Sequence, residues 1–326
     1  MKSRFSGYYA PTDTEFAALW RDCILSIDAN VLLNLYRYTK PTSDRLLEIL
    51  DRLKDRLWLT NQAAHEFHKN RLTVISQQYV AYDIIANDLN KNLTDLIVRV
   101  QQQYPKHSGL DMLALEKVVK GTSERLASIL RSAKAKHPDL MHDDPILRRV
   151  TNLFDSAVGD PYSVVELEKK RKEAQARFDR KDPPGYEDAK TKGDVGKYGD
   201  ALVWFQLLEY AQGQQKPIIF ITDDRKDDWW HIHRGQTLGP RPELVQEMQA
   251  VADVRFYMYQ PEHFIRRAET FLHLPKQPAV IEEVKEVSRY LMDLTDSRDR
   301  VSGQGYNFGE LLVPRGRSVP TVFVAL

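Results

Sequence analysis

Four separated stretches of the chain put carboxylates where a strand should stop or a helix should start. They are Asp28 after the apolar run Cys23 to Ile27, Glu66 in a helical stretch opening at Asn61, Asp200 at the head of another, and the pair Asp223 and Asp224 after Ile218 to Ile221. In an open parallel α/β sheet the carboxyl ends of the strands open into the crevice where ligands bind, so acids placed there are site candidates. Two unpaired carboxylates about 4 Å apart repel by roughly 4 kcal/mol at an effective dielectric of ~20. Gathering four therefore needs cations. Arg225 and Lys226 can neutralise part of the charge, and an all-oxygen donor set without cysteine is what Mg²⁺ or Mn²⁺ prefers. Such ions activate a bound water and stabilise a leaving oxygen, the logic of metal-dependent phosphodiester hydrolysis. His65 and His68 flank Glu66 and invite zinc, but neither HExxH spacing nor cysteine accompanies them. The other reading of Asp28 is a helix N-cap, and on this stretch alone both stand.

The elements that must carry these acids follow a β-α-β rhythm. A helix is expected over 15–21, capped by Thr12 or Thr14, then a strand over 23–27 and a short helix or turn over 29–36. A helix over 42–54 with Ser43 as cap, a strand over 57–60 and a helix capped by Asn61 come next. Residues 74–180 show helical periodicity with little strand character, broken near Pro105, Pro138, Pro145 and Pro161 into three or four helices. Val80, Tyr82, Ile84, Ile85, Leu89, Leu93, Leu96, Ile97 and Val100 are expected to form the seam of a helical hairpin, and the mixed-sign run 166–172 a solvated face. Residues 179–197, with prolines, glycines and lysines and no periodicity, read as an exposed lid loop. A helix opening at Asp200 and ending at Gly213 leads to the strand 217–222. Beyond it come a loop over 235–241, a helix over 243–251, a strand over 254–259, a helix over 261–272 with Pro261 at its first position, and a helix over 281–294. In the tail, Leu312 to Gly316 (LVPRG) resembles a protease-cleavage linker, and TVFVAL has no functional reading.

Composition narrows the setting. With 326 residues, 42% hydrophobic and 29% charged, the chain can bury a full core, and a net charge of +1 argues against a strongly basic DNA-coating surface. A nucleic-acid role must then rest on the site itself. The single cysteine, Cys23, cannot form an intramolecular disulfide and reads as a buried structural thiol, which fits a reducing cytoplasmic location. No stretch reaches the ~20 apolar residues of a membrane span, and the opening residues lack a signal-peptide apolar core.

Asp28-Ala29-Asn30 after the first strand, Glu66 after the second, Gly199-Asp200 opening a helix and Thr222-Asp223-Asp224 ending the next strand together resemble the PIN-domain nucleases. More narrowly, the GYY start, LLNLYRYT, EFHKNR, the PPGY loop, YGDALVW and FITDDRKDDWW look like the bacterial PIN-like branch that carries a helical insertion. The resemblance covers roughly residues 5–270 and rests on the order of motifs that are weak singly. It implies a PIN-like, Rossmann-like parallel α/β sheet flanked by helices, with a large all-α insertion. The core would span 1–75 and 195–272, the insertion 76–194 with its lid loop 179–197, and a C-terminal extension 273–326. It also implies a metal-dependent nuclease, acting on RNA first and on single-stranded DNA second, with Asp28, Glu66, Asp200 and Asp224 as ligands of one or two Mg²⁺ or Mn²⁺ ions. Asn30 would orient Asp28 or the substrate, Thr222 would hydrogen-bond within the site, and Asp223 and Asp228 would be neighbours. The departure from the family pattern is the stretch of about 130 residues between Glu66 and Asp200.

Lys192, Lys197, Lys226 and Arg71 are the candidate phosphate contacts, set against the ordinary reading of solvated surface cations. The resemblance further suggests a toxin or phage-defence role; the apolar pattern leads us to expect no membrane association, and the helical insertion offers a surface for a homodimer or regulatory protein partner. Two other readings compete. A haloacid-dehalogenase-like phosphatase would use Asp28 as nucleophile with a later acid pair such as Asp224 and Asp228, but it wants an aspartate where Asn30 stands and gives Glu66 no role. A catalytically silent PIN-like scaffold would keep the acids as residues of a lost activity. Trp229 and Trp230 read as core or lid packing before base stacking.

Overall fold

The structure, a computed structural model, describes residues 1, 5–188 and 196–302, with side chains to residue 294 in the last helix. Its elements are α1 (Asp13–Asp22), β1 (Ile24–Ile27), α2 (Ala29–Asn34), α3 (Lys40–Arg52), β2 (Leu57–Trp58), α4 (Asn61–Gln103), α5 (Met112–Ala135), α6 (Pro145–Phe154), α7 (Val164–Arg180), α8 (Gly199–Gln214), β3 (Ile218–Ile221), β4 (Trp230–His233), β5 (Gln236–Pro240), α9 (Pro242–Ala252), β6 (Phe256–Tyr259), α10 (Pro261–Phe271) and α11 (Pro278–Ser302). The order is that of a parallel α/β protein with helices on both sides of one sheet.

The main sheet runs β2-β1-β3-β6, every pair parallel, with Leu25 opposite Leu57, Ile24 opposite Ile218, and Ile218 opposite Phe256. Side chains alternate across it. Leu25, Ile27, Ile219 and Ile221 pack into one cluster with Leu32, Leu46, Ile49, Phe67 and Phe264, while Ile218, Phe220, Phe256 and Met258 pack into another with Trp204, Trp229 and Met248. Both faces are covered, which is why these strands read as unbroken apolar runs. From β1 the chain steps outward to β2, and after the long helical excursion it returns to the other side of β1 as β3. That reversal puts the topological switch point, and its crevice, at the carboxyl ends of β1 and β3.

Several local expectations need correction. Thr39 rather than Ser43 precedes α3; Pro41 in the first turn fixes the start, and the Ser43 hydroxyl instead donates to Leu35 O at 2.7 Å. Thr60, not Asn61, caps α4 by accepting from Ala63 N, and Asn61 donates to Gly159 O. The segment expected as loop over 235–241 holds a hairpin strand: β4 and β5 pair antiparallel around a turn in which Arg234 and Gly235 both have positive φ. With Gly and Pro in β5 and no apolar alternation, nothing in that stretch signals a strand.

The helical excursion is continuous with the core, since α4 is a single helix of 43 residues that carries both Glu66 and the hairpin. Residue 76 therefore lies inside an unbroken helix. Of the apolar positions assigned to the hairpin seam, Tyr82, Leu93, Ile97 and Val100 are half-buried, whereas Val80, Ile84, Ile85, Leu89 and Leu96 are exposed. Only part of that set faces α5, which has no buried residue of its own. Further along, Leu140, Val150, Leu153 and Phe154 join the core cluster, and Ala157 O accepts from Leu59 N beside the end of β2. Ala174 and Phe178 of α7 pack under α8. Among the described residues no helix is long and apolar enough to cross a membrane.

Candidate active site

Asp28 ends β1 and caps α2, so both readings of this residue are realised at once. Its Oδ1 accepts from Ala29 N at 2.7 Å, and its Oδ2 accepts from Asn30 Nδ2 at 2.7 Å and Thr222 Oγ1 at 2.6 Å. Asn30 spans the two strand ends, because its Oδ1 also accepts from Asp223 N at 3.0 Å. Thr222, fully buried, accepts from Asp224 N at 3.0 Å, and Asp224 Oδ1 then accepts from Lys226 N at 2.9 Å. These short side chains therefore tie the switch point shut from below and fix the direction of two carboxylates.

Glu66 and Asp200 come in from α4 and α8. Gln62 Nε2 donates to Glu66 Oε1 at 2.7 Å, and that same oxygen lies 2.6 Å from where a Cβ on Gly199 would sit. Glycine is thus required before Asp200 by the close approach of the Glu66 carboxylate. The four acids act on one another electrically. Burial pushes the Asp28 carboxyl up to about 8, the hydrogen bond from Thr222 opposes this, and the charges of Asp200, Glu66 and Asp224 raise it further. Asp224 is raised for the same reasons, burial first and Asp200 among the rest, against the pull of Lys226.

At the centre stands the Lys226 ammonium, 2.8 Å from Asp224 Oδ2, 3.1 Å from Asp200 Oδ2 and 2.5 Å from Asp188 Oδ1. Burial alone would lower its pKa, but the three carboxylates outweigh that and hold it protonated. Asp188, buried at the end of the PPGYED stretch, is a site residue that the sequence reading passed over as part of a lid loop. The available signal was an acid close after a Pro-Pro-Gly turn that leads into Gly199-Asp200.

Two expected residues lie in other networks. Asp223 turns away from the other acids: its Oδ2 accepts from Asn34 Nδ2 at 2.7 Å, and its Oδ1 accepts from Ser288 Oγ at 2.7 Å and Arg225 NH2 at 3.3 Å. Arg71 pairs at 2.6 Å with Asp144, a buried acid that also takes the Tyr36 hydroxyl and caps α6. Lys197 lies half-buried with its ammonium 5.0 Å from the centre of the Tyr198 ring. Lys192 falls outside the described residues. Trp229 and Trp230 are buried, and Trp230 Nε1 donates to Asp224 O at 2.6 Å, so both serve packing. His65 and His68 are exposed on α4.

The fit to a divalent cation rests on chemistry. Every donor is an oxygen, and burial first and then the neighbouring carboxylates raise the pKa of Asp28 and Asp224, so added positive charge would be taken up. Among the described residues no three acid, histidine or cysteine side chains are closed into a metal-holding group; an ammonium lies among three of the carboxylates instead. Loading an ion would therefore mean rearranging Lys226.

The fold and site define a parallel α/β protein whose acids converge on the switch point of its sheet. The family model described as PIN-like domain matches residues 24–244, most of the chain and all four acids, and the chain belongs to that family. No curated protein and no solved structure matches it.

Proposed function

We propose that this protein is a divalent-metal-dependent nuclease that hydrolyses phosphodiester bonds, with RNA as its substrate. The observation that carries the reading is that Asp28 and Asp224, at the carboxyl ends of β1 and β3, stand close enough to Asp200 and Glu66 for those charges to add to the effect of burial on Asp28, at the switch point of a PIN-like fold. Asp28, Glu66, Asp200 and Asp224 are the residues that would hold Mg²⁺ or Mn²⁺. When bound, such an ion lowers the pKa of a water and stabilises the leaving oxygen. The chain's own part is positional. Asn30 and Thr222 hold Asp28 still, Gln62 and the space left by Gly199 set Glu66, and the backbone amide of Lys226 sets Asp224. Lys226, which lies among Asp188, Asp200 and Asp224, would be the ammonium that meets a substrate phosphate, with Lys197 as a second contact.

Incubating the protein with labelled RNA, single-stranded DNA and duplex DNA, each with Mg²⁺, Mn²⁺ or chelator, tests this directly. Cleavage of RNA that chelator abolishes is expected. An aryl phosphate run in parallel separates the phosphatase alternative, and turnover of it without any nuclease activity would reverse the assignment.

A further inference from the structure

The hairpin of α4 and α5 has two unlike sides. Half-buried Tyr82, Ala86, Leu93 and Ile97 of α4 pack against α5, where Met112, Val119 and Leu130 are half-buried in turn. Residues one or four positions after these fall to one side of a right-handed helix and residues one or four before them to the other, and in antiparallel helices the same offset lands on the same side of the pair. The following offsets carry polar bridges: Lys134 donates to Asp83 at 2.5 Å, Ser123 to Asn90 at 2.7 Å and Gln101 to Glu116 at 3.4 Å. The preceding offsets carry exposed apolar side chains, Ile85, Leu89 and Leu96 on α4 and Leu115, Val118 and Ile129 on α5. Val118 is 67% exposed and Ile129 58%, so the stripe is open along both helices. It also continues the core-facing side of α4, since Val74, Ile85 and Leu96 recur every eleven residues, about three turns, and Val74 is buried in the core.

A stripe shared by two helices is covered in a four-helix bundle by a second helical pair. We infer that this second pair is the hairpin of another copy of the chain, packed face to face and antiparallel about a two-fold axis. Shape and charge both select this occupant. Because the α/β core lies on the stripe side of α4, hairpins running the same way would drive two cores together, whereas antiparallel ones set each hairpin tip against the other copy's core. On the edge of the stripe α4 carries Asp88, Asp95 and Arg99, all exposed and none in an ion pair among the described residues. Antiparallel pairing brings Asp88 of each copy opposite Arg99 of the other, two matched contacts from one surface. Alongside α4, the 24 residues of α5 give a face roughly 36 Å long and about 20 Å wide, about 700 Å² per copy, close to the ~800 Å² a side of a stable interface. The pairing is independent of the acid pocket's chemistry, so its failure would leave the nuclease reading untouched.

The test is sedimentation equilibrium of the full chain over a concentration series, with thermal unfolding of each variant as the second readout. The wild type should form dimers. Leu96→Glu and Val118→Glu should each weaken self-association at least tenfold without lowering the unfolding midpoint, while Val98→Glu, on the side of α4 turned from α5, should associate as the wild type does. Asp88→Arg and Arg99→Asp should each weaken it on their own, by setting like charges against each other. An equimolar mixture of those two variants should recover the dimer, because each then offers the other two opposite charges. A wild type that stays monomeric at every concentration overturns the inference and leaves the stripe to a different chain. A dimer that survives both glutamate substitutions on the stripe overturns it as well, and a mixture that associates no better than either charge variant alone overturns the antiparallel pairing.

Discussion

Asp228, in sequence only a neighbour of the site acids, behaves as an anchor in space. One of its oxygens holds two backbone amides, the other is buried without a partner, and burial, against the pull of Lys226, pushes its carboxyl up to about 6. The native state thus keeps a proton that the unfolded chain has already lost near pH 3.8. Its contribution is complete below about pH 4 and is lost as pH rises through about 6, an effect on the order of 3 kcal/mol. Chemical denaturation at pH 4 and pH 7 should show a smaller fall for Asp228→Asn than for the wild type. Gly199→Ala makes a second test at this scale. Its Cβ would meet Glu66 Oε1, so the variant should fold with a weakened Mn²⁺ affinity in calorimetry, while Gly213→Ala, with open space around it, should not. Cys23 is buried and its thiol is pushed up to about 12 by burial, so alkylating reagents at neutral pH should reach it only after unfolding. At the residue level, the placing of Asp28, Asn30, Asp200, Thr222 and Asp224 at strand ends or a helix start was legible from periodicity, as was Glu66 in the second turn of its helix. Asp188 was not, since nothing local distinguishes a buried loop acid from a solvated one.

Among the elements, β1, β3 and β6 were legible as short apolar runs, because a strand covered on both faces has no polar alternation to disguise it. The β4–β5 hairpin was not, and neither was the continuity of α4, whose two halves look like separate helices because one faces the core and the other a hairpin partner. The ties between elements are also invisible locally. Arg45 of α3 and Glu269 of α10 form a buried ion pair at 2.9 Å, 224 residues apart. Removing the acid would leave a guanidinium buried with Glu48 and the Pro275 carbonyl, so Glu269→Ala should lose about 3–5 kcal/mol in chemical denaturation.

Taken as a whole, the molecule places its acids in a core that spans the long excursion, with α6 and α7 packed into the two clusters that flank the sheet. Sequence order conceals this arrangement because Glu66 lies 133 positions before Gly199, whose Cβ position lies against it. A folded pocket that repels itself should be stabilised by the cation it attracts. Mn²⁺ at about a hundred times its dissociation constant should add about 2.7 kcal/mol to the stability of the wild type, and nothing to Asp28→Asn. The most direct measurement is cleavage of labelled RNA in Mn²⁺ by the wild type beside Asp28→Asn and Asp224→Asn, each checked for a native melting transition. Cleavage by the wild type, abolished by chelator and by either substitution, is the expected result; undiminished cleavage by both folded variants would contradict the assignment of the acid pocket as the active site.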